Sequence, residues 1–346
     1  MTFDIFLFGW VLITLFISTS PNLKVTETVL GKQVMRQNMT FAIIVFLPVF
    51  FCVVFGDLRN DLGGYVVGYQ KLESSVSDVF ANWSQMRGGG FTLIEIYIKQ
   101  FFGNDVTAFR MIIALIQSIP IVLVYRKYSE DYALSIFLFV ANGYYDGWMM
   151  NGVRQFISVC IIFAATPLML KKKYLPLAII VVLLAYTIHS SAIMMLAAVI
   201  LVHFKPWKQL TLCSFVVFTV VLYLYVEHSL SDDVLSTSNG SNPVRIVISA
   251  VPVVLAYVGR KKIEEQNNQL INMCINMAVI TMLIYVIATL TSGLLTGRLP
   301  IYTSMYNLIL LPYLVSNVFN EHDSKVLRTT MIIVYSLYFL LDMFFI

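Results

Sequence analysis

Charge is what this chain has little of. Only 12% of its 346 residues are Asp, Glu, Lys or Arg, against about 25% in soluble domains. A soluble core could not hide the 59% that are hydrophobic, and the mean hydropathy is +0.81; a water-soluble protein is excluded. Cysteine and histidine are scarce too, with four of each. Cys52, Cys160, Cys213 and Cys274 each lie inside an apolar run without CxxC spacing, so neither a disulfide framework nor a zinc site is implied. Asp-x-Asp pairs are missing, as are His/Cys/Asp clusters at ligand spacing, which disfavours a Mg²⁺-dependent transferase or a metalloprotease. We expect no metal and no cofactor. Phe3–Phe16 has no basic region before it and no clear small-residue cleavage site, so it reads as a retained first helix rather than a signal peptide. Internal repeats and low-complexity stretches are absent. The net charge of +4 comes from short basic clusters between apolar runs, which is no nucleic-acid footprint.

What remains is a series of apolar runs. A membrane-spanning helix needs roughly 20 mostly apolar residues. Candidate spans cover 3–20, 40–56, 106–125, 132–149, 153–170, 174–189, 190–204, 209–228, 243–259, 271–291, 298–316 and 327–346. The expected class is an all-α polytopic membrane protein with about twelve spans, forming a single transmembrane domain over 1–346. Lys24, Lys32 and Arg36, then Arg126 and Lys127, Lys171–Lys173, Lys205 and Lys208, Arg260–Lys262, and Lys325 and Arg328 fill alternate short loops. Cytoplasmic loops carry the Lys/Arg excess, so those loops face inward and both termini outward. Two longer outer segments follow, 57–105 and 229–242. The first contains Phe91–Phe102, which holds Glu95 and Lys99 and reads as an amphipathic interfacial helix, because a full crossing would turn every later basic loop outward. Gly88-Gly89-Gly90 before it reads as a flexible hinge.

Several cations break the inward pattern. Arg110, Arg154, Arg245 and Arg298 fall near the starts of helices that run from outside to inside. The helix dipole opposes a cation there, and arginine at membrane depth costs roughly 2.5–3.5 kcal/mol at a helix centre and less near the ends. Free N–H groups at a helix start favour phosphate, and guanidinium adds bidentate bonds to it. Together they suggest a phosphate or pyrophosphate site, with snorkelling to outer headgroups as the competing explanation. Arg154 stands in Asn151-Gly152-Val153-Arg154-Gln155, between two apolar runs. His189 marks an outer turn, as a hydrogen-bonded helix end or as a proton acceptor. Asp57, Asp61, Glu95 and Asp146 are the acidic candidates. Tyr65, Tyr69, Tyr144, Tyr145, Trp83 and Trp148 form either an aromatic belt or a sugar-stacking surface.

Four stretches resemble the EpsG-like branch of the Wzy-type bacterial polysaccharide polymerases, the O-antigen and capsule polymerases. Asp61-Leu62-Gly63-Gly64-Tyr65-Val66-Val67-Gly68-Tyr69 is similar to that family's Asp/Tyr segment. Asn151–Gln155 is similar to its Asn-x-x-Arg-Gln, His189-Ser190-Ser191-Ala192 to its His-x-Ser-Ala, and Arg298-Leu299-Pro300-Ile301-Tyr302 to its late Arg-x-x-x-Tyr. Order and spacing agree over 57–302. One departure stands out: the family often opens its amphipathic segment with Glu-Pro-Gly-Phe, and here Gly88-Gly89-Gly90-Phe91 occupies it, without the acid.

The resemblance implies a GT-C-like helical bundle and a metal-independent glycosyltransferase in the bacterial cytoplasmic membrane, its site facing the periplasm or exterior. Donor and acceptor would be polyprenyl-pyrophosphate-linked oligosaccharides, and a chain-length regulator and a flippase would be partners beside the bilayer. It implies that Arg154 and Arg298, with Arg245 and Arg110, neutralise the leaving pyrophosphate. His189 or Asp61 would take the acceptor's proton. Arg59, Tyr65, Tyr69, Gln155 and Tyr302 would contact substrate, and attack opposite the leaving group would invert the anomeric centre, by analogy with inverting glycosidases. A flippase or transporter for the same lipid, an O-antigen ligase and a non-catalytic scaffold are the rival readings.

Overall fold

Every one of the twelve apolar stretches carries helix in the computed structural model, which describes residues 2–86, 88–229, 240–291 and 293–345. Arg87 and residues 230–239, the middle of the second outer segment, lie outside the described residues. The chain divides into two compact units, Met1–Leu168 with Leu175–Ile193 and Lys325–Ile346, and Met169–Tyr174 with Met194–Ser324.

The first unit contains α1 (Thr2–Ile17), β1 (Lys24–Val29), β2 (Lys32–Gln37), α2 (Met39–Phe55), α3 (Asn60–Lys71), α4 (Val76–Ala81), α5 (Gly89–Phe102), α6 (Val106–Tyr128), α7 (Tyr132–Ala141), α8 (Val153–Ala164), most of α9 (Thr166–Leu170) and nearly all of α10 (Tyr174–Thr187). Short polar side chains start these helices. Asn38 accepts from Phe41 N at 2.7 Å, Asp105 from Thr107 N at 2.8 Å and Asp131 from Leu134 N at 3.0 Å, each satisfying amides that the helix cannot. The second unit contains α11 (Met194–Leu201), α12 (Gln209–Ser229), α13 (Val244–Val258), α14 (Arg260–Gln266), α15 (Gln269–Leu290), α16 (Gly293–Thr296), α17 (Ile301–Ser304) and α18 (Asn307–Asn317), and α19 (Glu321–Phe345) closes the chain. The axis of the second unit is α15, which packs against α11, α12, α13, α17 and α18.

Among the described residues, four helices are long and apolar enough to cross a membrane: Val106–Tyr128, Gln209–His228, Gln269–Leu290 and Glu321–Leu341. Shorter apolar helices of 10–17 residues accompany them. In Gln209–His228 only 17% of the apolar window is buried, against 72% in Gln269–Leu290. Val216, Val217, Val220, Val221 and Leu224 are accordingly exposed. An apolar face of that extent is stable only in lipid; this is a membrane protein.

The fold is mostly helical, with one departure from the all-α expectation among the described residues. Residues 24–37 form an antiparallel hairpin in which Val29 pairs with Lys32. Val25, Thr26, Thr28 and Val29 are β-branched, and Leu30 (φ 50°) and Gly31 (φ 78°) make a two-residue turn with the positive φ values that a tight hairpin needs. Three of the basic residues read as loop charges sit on this hairpin. Arg36 pairs with Glu130 at 3.3 Å, and Glu27 of β1 pairs with Arg126 at the end of α6.

Asp4, in the apolar run of α1, is 3% exposed. The Arg59 guanidinium meets it as a fork, Nη1 and Nη2 donating to its two oxygens at 2.8 and 2.9 Å, and the Tyr145 hydroxyl donates to it at 2.9 Å. Asp146 lies 3.7 Å from Arg59. Arg59, expected at the substrate, is thus engaged in joining α1, the start of α3 and the turn after α7. Asp4→Asn removes the charge that holds the fork, and we expect a loss of about 3 kcal/mol of stability, read as a lower melting temperature in detergent. A variant melting with the parent would return Arg59 to the substrate set.

Candidate active site around Arg154

The corner that precedes α8 builds the site. After α7 the chain turns at Gly143 (φ 67°), makes one wide turn over Tyr145–Met149 and turns again at Gly152 (φ 76°), the residue capping α8. Glycine takes that left-handed conformation without strain. Arg154 and Gln155 therefore fall in the first turn of α8. The Leu62 amide donates to Met150 O at 2.9 Å, which pins α3 against the corner. One turn along α3, Tyr65 meets Arg154. The guanidinium Nε is 3.4 Å from the Tyr65 hydroxyl, and its carbon lies 5.8 Å from the ring centroid. Tyr65 in turn meets Phe91 of α5 edge-on, at 5.5 Å.

The three glycines before Phe91 act as close-packing positions, where a hinge was expected. A Cβ on Gly88 (φ 85°) would sit 2.8 Å from Arg154 Nη1 and 2.9 Å from Ile188 O. One on Gly89 would press on the Trp83 ring at 3.0 Å, and one on Gly90 would come within 2.8 Å of Thr187. Side chains there would push α5 off both Arg154 and the end of α10.

Glu95 lies one turn beyond Phe91 and is 8% exposed. It makes no hydrogen bond or ion pair with any described residue. Burial raises its pKa to about 7, and the charge of Arg154 pulls the other way. Sequence reasoning named Glu95 but gave it no role. Its spacing to Lys99 suggests an ordinary i,i+4 pair, yet the Lys99 ammonium is spent on Tyr69 O, Gln70 O and Leu72 O, at 3.2, 3.0 and 2.7 Å. A buried carboxyl near Arg154 thus stands about two turns after Gly88, the position where the resemblance implies an acid.

A second motif reaches the same corner. His189 follows α10, its amide bonded to Leu184 O at 2.9 Å. Its Nδ1 lies 2.7 Å from Ser191 Oγ, and Gln155 Nε2 donates to that oxygen at 3.2 Å. The Ser191 amide also donates to Nδ1, at 3.4 Å, so Nδ1 is an acceptor, and the Ser191 hydroxyl can donate to it while taking the Gln155 N–H. Gln155 is 4% exposed, which makes it a positioning residue. The Asn151–Gln155 and His189–Ala192 motifs are therefore parts of one cluster.

A model of the EpsG family matches residues 38–346. The chain belongs to the EpsG family. No curated protein and no solved structure matches it.

The remaining residues expected to serve EpsG chemistry are distributed as follows. Asp61 is exposed in the first turn of α3. Tyr69 is fully buried, stacked on Phe109 at 4.5 Å, with its hydroxyl donating to Gly103 O at 2.7 Å. Arg110 is 8% exposed and donates to Val53 O and Gly56 O at 2.9 and 2.7 Å, where a cation also suits the C-terminal end of α2. Arg245 and Arg298 are exposed and Tyr302 is buried, all three in the second unit. The cluster that the first unit brings together is thus Tyr65, Glu95, Arg154, Gln155, His189 and Ser191.

Proposed function

We propose that this EpsG-family protein is a polysaccharide polymerase, a glycosyltransferase that joins oligosaccharide repeat units carried on polyprenyl pyrophosphate. The observation that carries the reading is that Arg154 and Gln155 stand side by side in the first turn of α8, Arg154 against Tyr65 and Gln155 bonded to the Ser191 that meets His189. An acceptor hydroxyl attacks the anomeric carbon of the donor sugar as the bond to the pyrophosphate oxygen breaks. The proton passes to His189, and the charge that grows on the leaving group falls to Arg154. Removing one such donor typically costs 10²–10³-fold in rate. Tyr65 keeps the Arg154 fork in plane. The same reading carries a GT-C-like bundle of about twelve spans, with the site on the outer face of the cytoplasmic membrane, and O-antigen or capsule repeat units as substrate.

The test is reconstitution with a purified lipid-linked repeat unit and no transmembrane gradient. A ladder of polymers is expected. His189→Gln keeps a polar side chain of similar reach but cannot accept the proton, so its rate falls roughly 10²–10⁴-fold with donor binding retained. Polymerisation at the parent rate by well-folded His189→Gln would remove His189 from the chemistry. Transfer only to a lipid A core acceptor would make the protein a ligase, and lipid translocation without a ladder would make it a flippase.

A further inference from the structure

Another set of polar groups converges in the second unit, where the loops before α10, after α11 and before α15 come together. Lys172, His203, Lys205, Asn267 and Asn272 line a concavity of about 280 Å³. A second, of about 220 Å³, shares Lys205, Asn267 and Asn272 and adds Trp207 and Lys208.

These loops are held in place. Gln269 Nε2 donates to Leu170 O at 2.8 Å, and the buried Asn276 Nδ2 donates to Phe204 O at 2.7 Å. The Thr211 hydroxyl donates to Lys205 O at 2.6 Å. Four non-glycine residues among those described have positive φ, and three of them line these concavities: Lys172 (53°), Trp207 (64°) and Asn267 (42°). Lysine and tryptophan adopt that conformation only where the surroundings enforce it, and such strain gathers at binding sites.

Two polar atoms of lining residues are buried without a partner, His203 Nδ1 at the first concavity and Trp207 Nε1 at the second. His203 Nε2 lies 2.8 Å from Met169 O and so must donate to it, which leaves Nδ1 as an acceptor in the neutral ring. Trp207 Nε1 can only donate. Lys208 lies 3.9 Å from Glu264, whereas Lys172 and Lys205 have no ion-pair partner among the described residues. A ligand suited to this lining would offer negative charge and acceptor oxygens to two ammonium groups and an indole N–H. It also offers a hydroxyl donor to an imidazole. Phosphate is the anion that lysine binds as a point charge.

We propose that these two adjoining concavities form a second binding site, for a phosphodiester or phosphomonoester carrying hydroxyls, the chemistry of a glycerophosphate headgroup. It is separate from the polymerase reading and stands without it. Occupation satisfies the indole and imidazole together and ties the three loops to one ligand.

The experiment uses the full chain in detergent and in nanodiscs, with phosphatidylglycerol, phosphatidylcholine and soluble glycerol 3-phosphate as probes. Phosphatidylglycerol should raise the melting temperature above that in phosphatidylcholine, and native mass spectrometry should retain it as an adduct. Lys172→Gln combined with Lys205→Gln should weaken it by about tenfold or more, with the lipid-free melting temperature unchanged. Trp207→Phe, which keeps the ring and deletes the donor, should do the same to a smaller degree. A shift produced by glycerol 3-phosphate alone identifies the source as a soluble phosphate, and a shift seen only with the lipid identifies it as a headgroup. Equal stabilisation by phosphatidylcholine, or phosphatidylglycerol binding unchanged in both variants, overturns the site.

Discussion

Replacing Arg154 by lysine should lower polymer formation by about 10²–10³-fold while the protein folds normally. The charge survives this exchange and the geometry does not. Guanidinium presents a planar fork that matches two phosphate oxygens, whereas an ammonium is a flexible point charge. In this protein the fork is held by its surroundings: Tyr65 stands at its edge and the Gly88 backbone runs where a Cβ would lie 2.8 Å from Nη1. Lysine fills that slot with no second donor. Measurement of ladder intensity per folded molecule, beside the melting temperature, separates chemistry from stability. A full ladder from Arg154→Lys would leave Arg154 only a general electrostatic part.

Glu95→Gln should stabilise the protein at pH 8 and leave it unchanged at pH 4. The sign follows from the direction of the shift. Burial raises the folded-state value to about 7 from the ordinary 4.5, so the folded protein holds a proton that the unfolded chain has released. Stability from that proton is complete below about 4.5 and is lost as pH rises through about 7. The loss is on the order of 3 kcal/mol, and glutamine does not suffer it. Function should move with it. Above that pH the Glu95 carboxylate competes with phosphate for Arg154, so affinity for the lipid-linked donor should fall with rising pH in the parent and stay level in Glu95→Gln. Parallel pH profiles for the two proteins, in both melting temperature and donor affinity, would sink this account of Glu95.

Periodicity and charge are local properties, which is why the helices were legible before the structure. Apolar runs must become helix because lipid supplies no hydrogen-bond partners. The pairing of Asn151–Gln155 with His189–Ala192 was legible only as a resemblance; the Gln155–Ser191–His189 bonds are long-range contacts that no spacing reveals. The hairpin at 24–37 was missed because its charges read as a loop signal and outweighed the alternation of β-branched residues. Glu95 was named without a role, and only the packing of α5 shows Lys99 bonded to α3 and the Glu95 carboxyl buried near Arg154. Arg59 and Arg110 show the converse. A cation near a helix start looks the same in sequence whether it awaits phosphate or, as here, holds Asp4 or the carbonyls at the end of α2.

By itself the sequence determined that this is a helical membrane protein, because hydropathy is additive along the chain. It also marked the residues out of place in such a chain: arginines at helix starts, a histidine at a turn and a glycine triplet. The tertiary structure alone decided which of them meet. Hydrogen bonds and desolvation act over a few ångströms between residues distant in sequence, so the partners of Arg154, the burial of Glu95 and the occupied forks of Arg59 and Arg110 exist only once the helices have packed.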